Sequence, residues 1–202
     1  NSLNGVDGRL VIGGTEFGLA GIGGAVNATG GITLETAGSK LIFNTIDNRV
    51  FGSRISDIGS VEVKGSGTVT LLNPGNNYSG ATTVFGGILQ AGNAGALSAS
   101  SAFTVSSGAR LDLFGYNNTI KSLSGAGIVE NTDAGFSSDL TVGSGSFSGA
   151  IQNPGAAAVN LVKTSAGTLF LTGNGNSYTG TTVIDGGFLS IGDGGATGSI
   201  GT

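Results

Sequence analysis

The sequence predicts an all-β fold: a parallel β-helix (solenoid) of about ten rungs with no significant helix. Three observations lead there. The chain repeats itself at an offset of 100 residues: Gly67-Thr68-Val69-Thr70-Leu71 returns as Gly167-Thr168-Leu169-Phe170-Leu171, and Tyr78-Ser79-Gly80-Ala81-Thr82 as Tyr178-Thr179-Gly180-Thr181-Thr182. From 67 to 96 the copies agree at 14 of 30 positions without a gap, which is how stacked repeats look in sequence. Its apolar residues come in runs of three to five, alternate with polar ones and end at Gly, Asn or Ser-Gly turns. Glycine, at 41 of 202 residues, would penalise any helix by about 1 kcal/mol per interior position.

In chain order the candidate strands are Leu10-Val11-Ile12, Ile32-Thr33-Leu34, Leu41-Ile42-Phe43 and Val61-Glu62-Val63, followed by the first repeat copy at about 63–98. Phe103-Thr104-Val105, Leu111-Asp112-Leu113, Leu140-Thr141-Val142 and Leu161-Val162 link it to the second copy at about 163–198, which holds Phe188-Leu189-Ser190-Ile191. Sandwiches and closed barrels prefer longer strands joined by hairpins, whereas a β-helix rung needs three short strands and three bends. Three strands of ~4 residues plus their turns make roughly 20 residues per rung. The repeat offset is then about five rungs. It would place residues i and i+100 on one face, ~24 Å apart at the ~4.8 Å spacing of paired strands. The whole chain, 1–202, reads as a single β-helix segment.

Comparing the copies predicts side-chain direction. Thr70 aligns with Phe170 and Phe85 with Asp185, and a position that takes either an aromatic or a carboxylate does not belong in a dry core. Alternation then sends Val69, Leu71, Val84, Leu169, Leu171 and Ile184 inward, with Leu89 and Leu189 inward in the next strand.

Composition excludes several functions. Charged residues are 10% and the net charge is −4, with the eight basic residues scattered, so nucleic acid is not an expected partner. With no Cys and no His, disulfides, His- or Cys-based zinc sites and a Ser-His-Asp triad are all ruled out. No Asp-rich calcium loop is present, and no cofactor or metal is expected. No apolar run reaches the ~20 residues of a membrane helix, and no signal segment opens the chain. Starting at Asn1 and stopping at Thr202, it reads as a piece of something longer.

The stretch Gly167 to Gly192, GTLFLTGNGNSYTGTTVIDGGFLSIG, strongly resembles the passenger-associated transport repeat of bacterial autotransporters. Gly67 to Gly92 matches less well, with Pro74-Gly75 where the pattern is looser, and the resemblance covers roughly 60–200. Residues 1–60 share the composition but not the motif. The resemblance implies a right-handed parallel β-helix from the secreted part of a type V autotransporter, at the surface of a Gram-negative bacterium or released from it. It implies a structural or interaction module, a stalk or adhesin mediating cell adhesion or self-association. The partners would be a host-cell surface or a sister-cell passenger, protein or glycan, with end-to-end or lateral self-association. The membrane would be met only through a C-terminal barrel that this chain lacks. The motif carries no catalytic residues. The missing Cys suits export, since a disulfide-closed loop is bulky in a narrow pore.

Remaining candidates weigh toward structural roles, so no catalytic, cofactor-binding or metal residue is assigned and no enzyme is expected. The rival reading is a polysaccharide-degrading β-helix enzyme (glycoside hydrolase or lyase), which needs only two carboxylates, for example Glu130 and Asp133. Tyr78 and Tyr178 either brace a corner or form a sugar-stacking face. Asp47 to Asp57, the densest charged patch, is either a locally paired turn or a protruding loop that meets a partner. Gly143-Ser144-Gly145-Ser146-Phe147-Ser148-Gly149 lacks the context of a phosphate loop, and Asp193 suits a turn. Asn27-Ala28-Thr29, Asn77-Tyr78-Ser79 and Asn117-Asn118-Thr119 match the N-glycosylation triplet only weakly as evidence.

Overall fold

A computed structural model describes residues 2–3, 9–13, 30–194 and 197–201. Its strands are β1 (Ser2–Leu3), β2 (Arg9–Gly13), β3 (Ile32–Leu34), β4 (Lys40–Asn44), β5 (Arg49–Phe51), β6 (Ile55–Asp57) and β7 (Ser60–Lys64). Next come β8 (Thr68–Leu71), β9 (Thr82–Val84), β10 (Ile88–Ala91), β11 (Ala102–Val105), β12 (Arg110–Asp112), β13 (Asn118–Gly125) and β14 (Ile128–Glu130). The last six are β15 (Ser138–Phe147), β16 (Ala150–Gln152), β17 (Val159–Lys163), β18 (Thr168–Leu171), β19 (Thr182–Ile184) and β20 (Phe188–Ile191). No helix occurs among the described residues, and every strand pairing among them is parallel.

Three stacked faces build a β-solenoid. On the second face Leu10, Leu41, Val61, Thr82, Phe103, Leu123, Gly145, Leu169 and Leu189 stand in register. On the third face the series is Arg49, Val69, Leu89, Leu111, Val129 and Ile151. The first face ends in Asn118, Leu140, Leu161 and Thr182. At the bottom of that face β1, β3 and β6 pair in register. Between β6 and β13, where no strand is assigned, single hydrogen bonds keep the stack, as from Asn77 N–H to Ile55 O (3.0 Å). The long strands β13 and β15 turn the corner from the first face to the second. Residues 9–13 and 30–60 lie in these stacks too, so the rungs extend below the part that resembles the repeat.

Two expectations are corrected. The second-face series takes eight steps from Leu10 to Leu189, so the solenoid has about eight turns rather than ten; the step from Leu10 to Leu41 is longer than any above it. The repeat offset is also not a whole number of turns. Side chains that bond across one rung commonly lie 20 to 22 residues apart in sequence, as Thr70 with Gln90 and Gln90 with Asp112. From Val69 four steps along the third face reach Ile151; the chain then crosses the first face and meets the second at Leu169. The offset is four and two-thirds turns. Residues i and i+100 therefore sit on different faces: Val69 on the third and Leu169 on the second, Thr82 on the second and Thr182 on the first.

Direction holds where the faces do not. Val69, Leu71, Val84, Leu89, Leu169 and Leu171 are fully buried, Phe85 is 51% exposed and Asp185 is exposed. Ile184 is the correction, at 54% exposed, with Leu189 half-buried. Both lie on β19 and β20, and among the described residues no strand pairs with the far side of either. Among the described residues, an inward side chain there has a strand below it and none above.

Candidate functional site

The local chemistry of the repeat is reproduced in both copies. Tyr78 and Tyr178 are fully buried, and each phenol meets a threonine four residues on, Tyr78 Oη to Thr82 Oγ1 at 2.8 Å and Tyr178 Oη to Thr182 Oγ1 at 2.7 Å. Neither offers a sugar-stacking face; both brace corners. Burial pushes the Tyr78 hydroxyl pKa up to about 12, against a smaller opposing effect of the Thr82 hydrogen bond. Asn76 accepts from Ile55 N–H at 2.8 Å and donates to Ala96 O at 2.8 Å, tying the rungs on either side. Asn176 does the same between Ile151 N–H (2.8 Å) and Ser199 O (2.7 Å). The second glycine of each Gly-Gly bend takes a left-handed φ, +63° at Gly87 and +65° at Gly187. A Cβ there would lie 2.3 Å from a backbone oxygen of the rung below.

The carboxylates that suggested hydrolysis are engaged elsewhere. Glu130 is buried on the third face, where Arg110 Nη1 donates to both its oxygens (2.9 and 2.8 Å) and Gln152 Nε2 to one (3.2 Å). Asp133 accepts the backbone N–H groups of Gly135 (2.8 Å) and Phe136 (2.7 Å), closing a turn. Across the rungs Thr70 donates to Gln90 (2.9 Å), Gln90 to Asp112 (3.0 Å) and Thr132 Oγ1 to Asp112 (2.7 Å). These groups form a ladder that stitches successive rungs along the outside of the third face. Nothing in it positions two carboxylates across an open space.

Residues 47–57 form no protruding loop, because β5 and β6 belong to the stacked faces. Asp47 pairs with Arg49 at 3.0 Å, and Arg54 Nε donates to Gly75 O at 2.9 Å. At Glu62 burial alone would raise the carboxyl pKa, but hydrogen bonds and charge from Lys40 (2.6 Å) and Lys64 (2.9 Å) outweigh it and hold the group below its usual range. Residues 143–147 lie in β15 and make no phosphate loop. Asp193 is exposed in a bend, and Asn77 and Asn117 of the glycosylation triplets are exposed. Asn27-Ala28-Thr29 lies outside the described residues.

Three features escaped the sequence reading. Lys163 is fully buried, its ammonium donating to the carbonyls of Thr164, Ser165 (3.0 Å) and Gly186 (3.0 Å); desolvation lowers its pKa. The first face carries an open cleft of about 460 Å³, lined by Asn76, Leu97, Asn117, Thr119, Asp139 and Thr141 among others. Where the chain enters that face, Phe114 (40%), Tyr116 (37%) and Phe136 (72%) are exposed in two bends that meet at Gly115 and Phe136, and they make an aromatic ridge. Tyr116 stands directly before the lining Asn117, and Phe136 three residues before the lining Asp139. The signal in sequence was the aromatics sitting in Gly/Asn/Asp-rich bends, where no strand parity buries them.

Comparison with known proteins fits this architecture. Residues 61–91 and 161–191 match the passenger-associated transport repeat family. The chain is 35% identical, over 99% of its length, to an adhesin autotransporter, BmaC, of Brucella suis biovar 1 (strain 1330). It spans 6% of the length of that relative. No solved structure matches it.

Proposed function

We propose that this chain, a segment of autotransporter passenger from a surface-exposed or secreted protein of a Gram-negative bacterium, serves as an adhesive scaffold. The observation that carries the reading is the match across nearly the whole chain to an adhesin autotransporter. The architecture supports it. A solenoid in which each rung contacts only its neighbours makes a long rigid body that can hold a binding surface away from the cell. Engagement of Glu130 and Asp133 in structural bonds favours adhesion over polysaccharide cleavage. Its partners are molecules of a host-cell surface or passengers on sister cells.

The test is retention of beads coated with the whole chain on host-cell monolayers and on each other. Specific retention, competed by soluble chain, is expected. Release of reducing sugar from a polysaccharide panel, lost on Glu130→Gln or Asp133→Asn, would overturn the reading in favour of the enzyme.

A further inference from the structure

We infer that the first-face cleft and the aromatic ridge beside it form a binding site for uncharged oligosaccharide. The inference rests on the adhesive reading and adds the ligand class. Scattered exposed aromatics are ordinary, but Phe114, Tyr116 and Phe136 come from two loops clamped together. Asn131 accepts from Gly115 N–H at 2.9 Å and donates to Phe136 O at 2.9 Å. A Cβ on Gly115 would lie 3.2 Å from that of Phe136. Phe114 holds a left-handed φ of +45°, a conformation that costs free energy in a bulky residue, and Asp112 fixes it by accepting its N–H at 3.0 Å. The fold therefore spends strain on an aromatic side chain that it then leaves exposed.

The polar wall is fixed as well. Asn117 Oδ1 accepts from Asp139 N–H (2.8 Å) and Asp139 Oδ1 from Asn160 (2.8 Å), so both side chains are held. Among the described residues no protein partner takes Asn117 Nδ2, Asp139 Oδ2, Thr119 Oγ1 or Thr141 Oγ1. Two donor-acceptor hydroxyls, an amide donor and a carboxylate acceptor suit a ligand rich in hydroxyls. The ridge suits the apolar C–H face that a sugar ring presents on its other side. Among the described residues that line the cleft, Asp139 alone is charged, so the wall itself repels sulfated or sialylated glycans. The cleft's volume lies within the range of small-ligand sites.

The experiment is binding of the whole chain to an array of neutral oligosaccharides (glucose-, galactose-, mannose- and N-acetylhexosamine-containing), beside sialylated and sulfated glycans and a tetralysine peptide. Hits are then titrated with Phe136→Ala and Thr119→Val, both exposed positions. Expected is binding to one or more neutral glycans, weakened about tenfold or more by each substitution, with the thermal midpoint unchanged. Equal or better binding of anionic glycans, capture of tetralysine in their place, or indifference to both substitutions would overturn the assignment. Bead retention on cells without neutral-glycan binding would overturn it and leave the adhesive reading standing. Loss of both would remove both.

Discussion

The two repeat copies have the same bends, the same Tyr–Thr pair and the same bridging asparagine, yet they differ in what surrounds them. Val84 is fully buried and its counterpart Ile184 is 54% exposed; Leu89 is buried and Leu189 half-buried; buried Val63 is replaced by the buried ammonium of Lys163. The first copy has rungs on both sides, whereas among the described residues no strand pairs beyond β19 or β20 of the second, and only Gly198 and Ser199 stack on its corner at 173–176. The copies also start on different faces. Local sequence thus specifies the shape of a bend and the inward side of a strand, and stacking decides how much free energy each inward side chain contributes.

The sharpest way to break this comparison is a matched pair of charges. Val84→Asp should destabilise by about 4 kcal/mol or more, because a carboxylate enters a closed apolar stack. Ile184→Asp should cost about 1 kcal/mol or less, since water already reaches it. Equal shifts in the denaturation midpoints would show that the terminal rung is as closed as the interior one.

The bridging asparagines should behave alike despite their different faces. Asn76→Ala and Asn176→Ala each orphan a buried backbone N–H, and each should cost about 2–3 kcal/mol by urea unfolding. A large effect in only one copy would mean that face, not local motif, governs the site.

Tyr78 sharpens the same point through pH. Its folded pKa lies above the unfolded value, at about 12 against 10, so the neutral phenol stabilises the fold fully below pH 10. That contribution, on the order of 2–3 kcal/mol, is lost as pH rises from 10 to 12. Thermal midpoints should fall across this window, and Tyr78→Phe should reduce the fall; an unchanged profile in the variant would place the titration elsewhere.

The smallest effect is expected at the outward pair. Phe85→Asp should change stability by about 0.5 kcal/mol or less, since Asp185 already occupies the matching position. The loss includes the contact of Lys64 Nζ with the Phe85 ring, 5.4 Å from its centroid. A cost of several kcal/mol would mean the outward direction had been misassigned.

Much of the fold was legible because short alternating runs separated by glycine have few other ways to bury themselves. Val69, Leu71, Leu169 and Leu171 point inward as parity requires, since alternation is a property of the strand itself. The candidate site was far less legible. Phe114 and Asn117 come from one rung and Phe136 and Asp139 from the next, in bends and at strand edges, and only the stacking of those two rungs brings them together.

By itself the sequence determined the all-β solenoid, the bends, the inward and outward side of the repeat strands and the family, because each is set within a few residues by backbone freedom and side-chain type. Tertiary structure alone decided how much chain makes a turn, which face each copy occupies, whether Ile184 is covered and which aromatics flank the cleft. A rung closes at whatever length satisfies the rung beneath it, shorter in the step from Leu111 to Val129 and longer in the step from Gly145 to Leu169. Small differences in that length add up along the stack until an ungapped repeat lands one face away from where it began.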